Sequence, residues 1–284
     1  MGLLPGGFWD EHGGLHREFD LAPLTGREEE LLAARAAARP AALVTEVLSR
    51  CVSRLGDISP VPPAVTRQLL VADRNHLLLQ LRRATFGDQV RATLTCPWTE
   101  CGERMSVDFS IDAVPVEPPP HRAPHYTETL KDGQEITFRL PTGADQEELS
   151  GRLAVNEAEA LTALLARCVL DLGGARPDAE RIAALPAITR LEIEERMRRA
   201  APKVEQTLAA ACAECGRTFV APFDIHRFVF GELRTDNTLL YQEVHYLAYH
   251  YHWSESEIMA MTRDKRQTYI DVLADAIEVL NHGA

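Results

Sequence analysis

The strongest constraint on this chain is that part of it is written twice. The segment Leu43-Val-Thr-Glu-Val-Leu-Ser-Arg-Cys51-Val-Ser-Arg-Leu-Gly56 matches Ala160-Leu-Thr-Ala-Leu-Leu-Ala-Arg-Cys168-Val-Leu-Asp-Leu-Gly173 without a gap. At the same offset Thr25-Gly26 falls on Thr142-Gly143, and downstream Pro63-Ala-Val-Thr-Arg67 returns as Pro186-Ala-Ile-Thr-Arg190. Each copy then closes on a pair of cysteines, so every local motif has to be read as one of two equivalent instances.

Within each copy the pattern predicts a short strand, about three helices, and two strands around the cysteine pair. Phe19-Asp-Leu and Ile136-Thr-Phe-Arg-Leu alternate as half-buried strands do. Thr25 with Glu28, and Thr142 with Asp145, set a hydroxyl residue three positions ahead of a carboxylate that can reach back to the free amide of the cap, which marks a helix start. Leu43, Val44, Val47, Leu48, Cys51 and Leu55 recur at three- and four-residue steps, as do Leu161, Leu164, Leu165, Cys168 and Leu172. One apolar stripe on each helix follows, with Gly56 and Gly173 as left-handed terminators. Near the first cysteine pair the period becomes two, through Val90, Ala92 and Leu94, then Met105, Val107, Phe109 and Ile111, which reads as a hairpin. Phe219, Phe223 and Ile225 suggest the same after the second pair, although Ala209-Ala-Ala211 before it is a weak strand former.

The expected class is α+β: internally duplicated helical units, each ending in a cysteine-bearing β-hairpin, with a C-terminal helical unit. The organisation reads as a flexible tail at 1–14, repeat 1 at 15–114, a proline-rich linker at 115–130, repeat 2 at 131–230 and the helical unit at 231–284. The tail follows from Gly6, Gly7, Gly13 and Gly14, and the linker from the prolines between Val114 and Pro124.

Cys96-x4-Cys101 and Cys212-x2-Cys215 carry the one clear chemical motif. In a reducing compartment paired cysteines on hairpin loops point to a zinc site rather than to disulfides, and Gly102 and Gly216 stand where a metal knuckle must turn. A zinc ribbon usually places its halves about 15–20 residues apart, far closer than residues 101 and 212. Duplication removes the difficulty, since two copies packed about a pseudo-twofold axis would each supply two thiolates. Two redox pairs, or a metal-free relic, are the alternatives. A zinc held by Cys96, Cys101, Cys212 and Cys215 would be structural, because four protein ligands leave no open position. Cys51 and Cys168 sit within the helical stripes as core residues.

From Asp236 onward the pattern is helical. Tyr241, His245, Ala248 and His252 share one face, and Leu240, Val244, Leu247 and Tyr251 the next. The histidine spacing is not that of a zinc hydrolase, so these side chains are expected in packing or at a partner's surface. Ser254 and Glu257 form a capping box with Trp253 placed to staple onto Ile258; a short helix from Glu255 to about Met261 and a longer one from about Arg263 to Leu280 follow, with Gly283 just beyond.

The net charge of −12 disfavours nucleic acid and anionic membranes, and no basic stripe interleaved with aromatics surrounds either cysteine pair. No apolar run approaches the roughly 18 residues of a membrane span, and the first residues lack a signal peptide's basic region, so a cytoplasmic chain without direct membrane insertion is expected. No phosphate-binding loop, dinucleotide fingerprint, nucleophile elbow or His-Glu-x-x-His is present, and the chain is read as non-enzymatic, with no catalytic or cofactor-binding residues.

The segment Leu247-Ala-Tyr-His-Tyr-His-Trp-Ser-Glu-Ser-Glu-Ile-Met-Ala-Met261, with Arg263 to Leu273 after it, resembles a C-terminal signature of baseplate and tail assembly proteins of phages and contractile injection systems. Phe138-Arg-Leu-Pro-Thr-Gly-Ala-Asp-Gln-Glu-Glu-Leu149 is similar to the strand-then-helix opening of the T-even phage baseplate hub assembly chaperone family, and the cysteine pairs to those of its larger bacterial members. Taken over residues 15 to 284, the resemblance implies an assembly factor or minor structural component of a contractile tail's hub. Its partners would be hub, spike or tape-measure proteins, met in the cytoplasm or within an assembled particle. A zinc-ribbon protein acting on nucleic acid or in regulation, or an enzyme of unrecognised class, is the alternative.

Overall fold

A computed structural model describes residues 1–34, 40–153, 156–205, 207–233 and 237–282. The first run of elements is β1 (Gly2–Trp9), β2 (Leu15–Leu21), α1 (Gly26–Ala34), α2 (Pro40–Cys51), β3 (Val52–Leu55), α3 (Pro63–Gln68), α4 (Val71–Phe86), β4 (Gln89–Thr95) and β5 (Arg104–Ser110), followed by β6 (Val116–Glu117). A second run has the same order of types: β7 (Tyr126–Thr129), β8 (Glu135–Phe138), α5 (Gly143–Leu153), α6 (Glu157–Cys168), β9 (Val169–Leu172), α7 (Ala179–Ala184) and α8 (Ala187–Ala200). It continues through β10 (Lys203–Val204) to the pair β11 (Thr207–Ala211) and β12 (Thr218–Pro222). Four helices follow: α9 (Ile225–Leu233), α10 (Asn237–Tyr251), α11 (Glu255–Met259) and α12 (Arg263–His282). No described helix is long and apolar enough to cross a membrane.

The chain packs as two compact units, each built from three separate stretches. One contains Met1–Asp20, Arg39–Leu78 and Asp112–Thr207, and the other Leu21–Ala38, Leu79–Ile111 and Leu208–Ala284. These units cut across the blocks 15–114 and 131–230, because each block gives its cysteine-bearing strands to the second unit.

The first unit holds two three-stranded sheets, ordered β1-β2-β3 and β7-β8-β9, with β10 paired antiparallel to β6. The second of these sheets packs Tyr126, Ile136, Phe138, Val169 and Leu172 against Leu165, Ile182, Ile193 and Met197 of the helices behind it. Its helix start at Thr142 is built as the spacing predicts: the Thr142 amide donates to the Asp145 carboxylate at 2.9 Å. The Thr142 hydroxyl donates to the same carboxylate, at 3.2 Å. Asp145 also accepts from Arg139 at 2.6 and 2.9 Å and from Arg167 at 2.8 Å. Burial alone would raise this carboxyl, but the Arg139 and Thr142 hydrogen bonds and then Arg167 hold it well below the usual range.

Three expectations are corrected. Residues 2–9 are not a loose tail: β1 pairs antiparallel with β2 across a register shift between Leu3 and Phe8, and Leu4 is fully buried. What ties it down is Asp73, whose buried carboxylate accepts the Gly6 amide at 2.8 Å and the Gly7 amide at 2.9 Å. Gly7 adopts φ +104 there, which a residue with a side chain resists. Gly56 and Gly173 do take left-handed angles, φ +55 and +64, but they end strands and not helices. The helices stop at Cys51 and Cys168 and the chain enters β3 and β9 at once. Gly56 then donates to the Glu18 carbonyl at 2.7 Å, and Gly173 to the Glu135 carbonyl at 2.8 Å. The proline-rich stretch 115–130 is also not a plain linker, since it contains β6 and β7.

In the second unit Arg266 is wholly buried. It donates to Glu29 of α1 at 2.9 and 3.0 Å, to Glu243 of α10 at 2.9 Å and to the Met261 carbonyl at 3.0 Å. The reciprocal capping box of Ser254 and Glu257 starts α11 as expected. Leu240, Val244, Leu247, Ile258 and Met259 form a small core, with Tyr251, Trp253, Tyr269 and Ile270 packed on it. Gly283 lies outside the described residues.

Asp73 gives a test of the β1 anchor. Burial pushes its carboxyl up to about 6 against the pull of the two amides. A folded pKa above the unfolded value of about 3.9 means that the folded chain holds the proton longer, so this group's contribution to stability falls as pH rises from about 4 to 6. Asp73→Asn should flatten the urea-unfolding free energy over that window. Asp73→Ala should cost roughly 1–3 kcal/mol at neutral pH by leaving two buried amides unpaired.

Candidate metal centre

The second unit brings Cys96, Cys101, Cys212 and Cys215 together. Cys96 follows β4 directly, and its amide donates to the Glu103 carbonyl at 2.8 Å, closing the turn between β4 and β5, whose strands pair antiparallel from Gln89–Ser110 to Thr95–Arg104. Within the turn the Trp98 carbonyl accepts both the Cys101 amide at 2.9 Å and the Gly102 amide at 3.0 Å. The other turn, between the paired strands β11 and β12, is built alike: the Cys212 amide donates to the Arg217 carbonyl at 3.0 Å and the Gly216 amide to the Cys212 carbonyl at 2.9 Å. The alanine-rich run before Cys212 is therefore a strand, stabilised by its partner in spite of its weak propensity.

Gly102 and Gly216 have φ +63 and +70. A β-carbon added at either would meet nothing within 4 Å, so backbone angle and not space selects glycine. Left-handed backbone after the second cysteine lets each turn fold back over its own sulfurs.

All four Sγ atoms lie within 4.8 Å of one another. Across the two turns, Cys96 approaches Cys215 at 3.8 Å and Cys101 approaches Cys212 at 3.7 Å. A disulfide requires about 2.05 Å, whereas a tetrahedron with metal–sulfur bonds of about 2.3 Å has edges of about 3.8 Å. The donor set thus fits a tetrahedral thiophilic ion, and the four cysteines could hold one. Cys96 and Cys212 are buried, Cys101 is half-buried and Cys215 is exposed, so the site lies at the surface with two ligands anchored inside.

The electrostatics explain why such a cluster suits a cation. The Cys215 amide draws the Cys212 thiol down, while Cys101, despite the Glu103 amide, is pushed up by burial and by the neighbouring sulfurs. Four thiolates this close repel one another, and a divalent ion removes that repulsion. Arg217 adds a link that spacing did not reveal: it donates to Glu100 at 3.0 Å and lies 5.2 Å from the centroid of the Trp98 ring, joining the second turn to the first. Its only sequence signal is its place directly after Cys-x-x-Cys-Gly.

The remaining sequence candidates fall where packing puts them. Cys51 and Cys168 are buried at the ends of α2 and α6, outside the cluster, and burial pushes the Cys168 thiol up to about 12. His245, His250 and His252 are exposed, and none belongs to a metal-holding group among the described residues.

Residues 14–229 match the family model described as T4 bacteriophage base plate protein. The chain belongs to that family. Among curated proteins and among solved structures nothing matches. The match in this baseplate protein takes in both cysteine pairs and the Phe138–Leu149 unit, and it ends inside α9. The Leu247–Met261 segment lies beyond it.

Substituting a ligand tests the centre. Cys212→Ser in this baseplate protein should abolish binding of one divalent ion per chain by native mass spectrometry. It should also lower stability by about 3 kcal/mol or more, roughly 6–12 °C in Tm. Cys51→Ser should leave the metal content unchanged.

Proposed function

We propose that this chain is a non-enzymatic assembly factor or minor structural component of the baseplate hub in a phage-like contractile tail or injection system. The family match over residues 14–229 carries this reading. Other baseplate proteins are its partners, with hub, spike or tape-measure components as the specific candidates, met during assembly in the cytoplasm or held within the particle.

On this reading the four cysteines hold zinc, and the ion is structural. Four sulfur donors in a tetrahedral arrangement favour zinc or an iron–sulfur species over harder ions, and a filled tetrahedron offers no position for water or substrate. Zinc then ties residues 79–111 to residues 208–284, two stretches of the same unit that are distant in sequence. An ancestral duplication accounts for this pairing. The matching element order of the two runs, the equivalent bonds made by Gly56 and Gly173, and the glycine after each cysteine pair all support it.

Deletion of the gene from its host should yield particles lacking a complete baseplate, seen by electron microscopy as tails without hubs or as unattached sheath, with rescue by the wild-type chain. Cys96→Ser with Cys212→Ser should fail to rescue. Normal, contractile particles from the deletion strain would overturn the assembly role, while full rescue by the double variant would overturn the role of zinc alone.

A further inference from the structure

The C-terminal half of α12 carries an apolar face that the fold begins to bury and then leaves open. Tyr269 and Ile270 pack on the small core formed by α10 and α11. The same stripe continues through Val272, Leu273, Ala276, Val279 and Leu280, at the steps of three and four that keep one helical face. Val272 is 56% exposed, Val279 72% and Leu280 73%. This is an uninterrupted seam, not a scatter of single surface apolars, and it is the pattern by which a helix receives another helix.

Charge identifies the occupant. Asp271, Asp275 and Glu278, spaced four and three apart and all exposed, run along one side of the seam. Beyond Arg266 the chain has no Lys or Arg, and His282 is the only other basic side chain in the row. The carbonyl end of the helix dipole adds further negative potential at the last turn. A second copy meets this row poorly: antiparallel pairing sets acids against acids, and parallel pairing offers them no cation. A helix with its own apolar stripe, flanked by Lys or Arg, satisfies both features.

We propose that the seam Val272–Leu280 of α12 is a docking surface for a basic amphipathic helix of a partner protein. This deepens the baseplate reading by stating the partner's chemistry, and its test needs no assembled particle, so the two can fail separately.

The probes are two synthetic 21-residue helical peptides with one Leu/Ile/Ala stripe, flanked by lysines in one and by glutamates in the other. Their binding to the full chain is followed by fluorescence anisotropy, and self-association of the chain by sedimentation velocity. The lysine peptide should bind at least tenfold more tightly than the glutamate peptide at low salt, with the gap shrinking several-fold at high salt as screening predicts. Val272→Asp with Leu280→Asp, both at exposed positions, should abolish that binding while leaving the thermal midpoint unchanged. Asp271→Lys with Asp275→Lys should invert the preference. Equal affinity for the two peptides, no binding by either, or binding that survives in the seam variant would overturn the proposal. A concentration-dependent dimer lost in the seam variant would also overturn it, by naming a second copy as the occupant.

Discussion

The meeting of four sulfurs is the constraint on which the second unit depends. Residues 79–111 and 208–284 share that unit only because the chain leaves it after β5 and returns at β11. Phe109 of β5 helps join them by meeting Phe223 at 5.5 Å and Phe228 at 6.3 Å between ring centroids. Arg217 adds its bond to Glu100. Each of these contacts is weak alone, on the order of 1 kcal/mol, whereas an ion held by the four thiolates would contribute to folding outright. The buried Arg266 works differently. Its desolvation offsets much of its attraction to Glu29 and Glu243, so its main effect is to select one arrangement of α1, α10 and α12.

What could be read in the sequence was whatever is decided within a few residues. Cysteine spacing, the glycines that turn after each pair, the carboxylates of Asp145 and Glu257 reaching back to their caps, and the helical stripes as far as Cys51 and Cys168 all have local causes and are found, whereas Leu55 and Leu172, expected on those helices, lie in β3 and β9. Strands β3 and β9 were hidden for a physical reason. In Val52-Ser-Arg-Leu55 the buried positions are the two ends, three apart, which continues the helical stripe of α2 instead of showing alternation. Strand β1 was hidden because Pro5, Gly6 and Gly7 signal chain breaking, while the carboxylate that holds the glycine amides stands on α4, at residue 73. The assignment of each copy's strands to different units depends on long-range packing, which no local pattern records.

The family match and the small C-terminal core divide the chain in a way that the buried charges do not respect. Glu29 lies within residues 14–229 and Arg266 lies beyond them. Gly26 sits against the same group, since a β-carbon there would come within 2.9 Å of the Met259 sulfur and 3.2 Å of Arg266. The helices after α9 are therefore fitted into the matched region by a glycine that leaves little room for a β-carbon and by a carboxylate paired with a buried cation. They are part of the unit's architecture and not an appendage to it.

The interleaving of the two units sets an order on synthesis. As the chain leaves the ribosome, the first unit has all of its parts only when residue 207 has emerged, and the second, although it begins at residue 21, waits for the final stretch from 208 onward. The two cysteines near residue 100 are thus exposed to the cell long before their partners exist. The nascent chain must keep them reduced and unshared for the time taken to make more than a hundred further residues, a task for the cell's thiol chemistry and not for the fold.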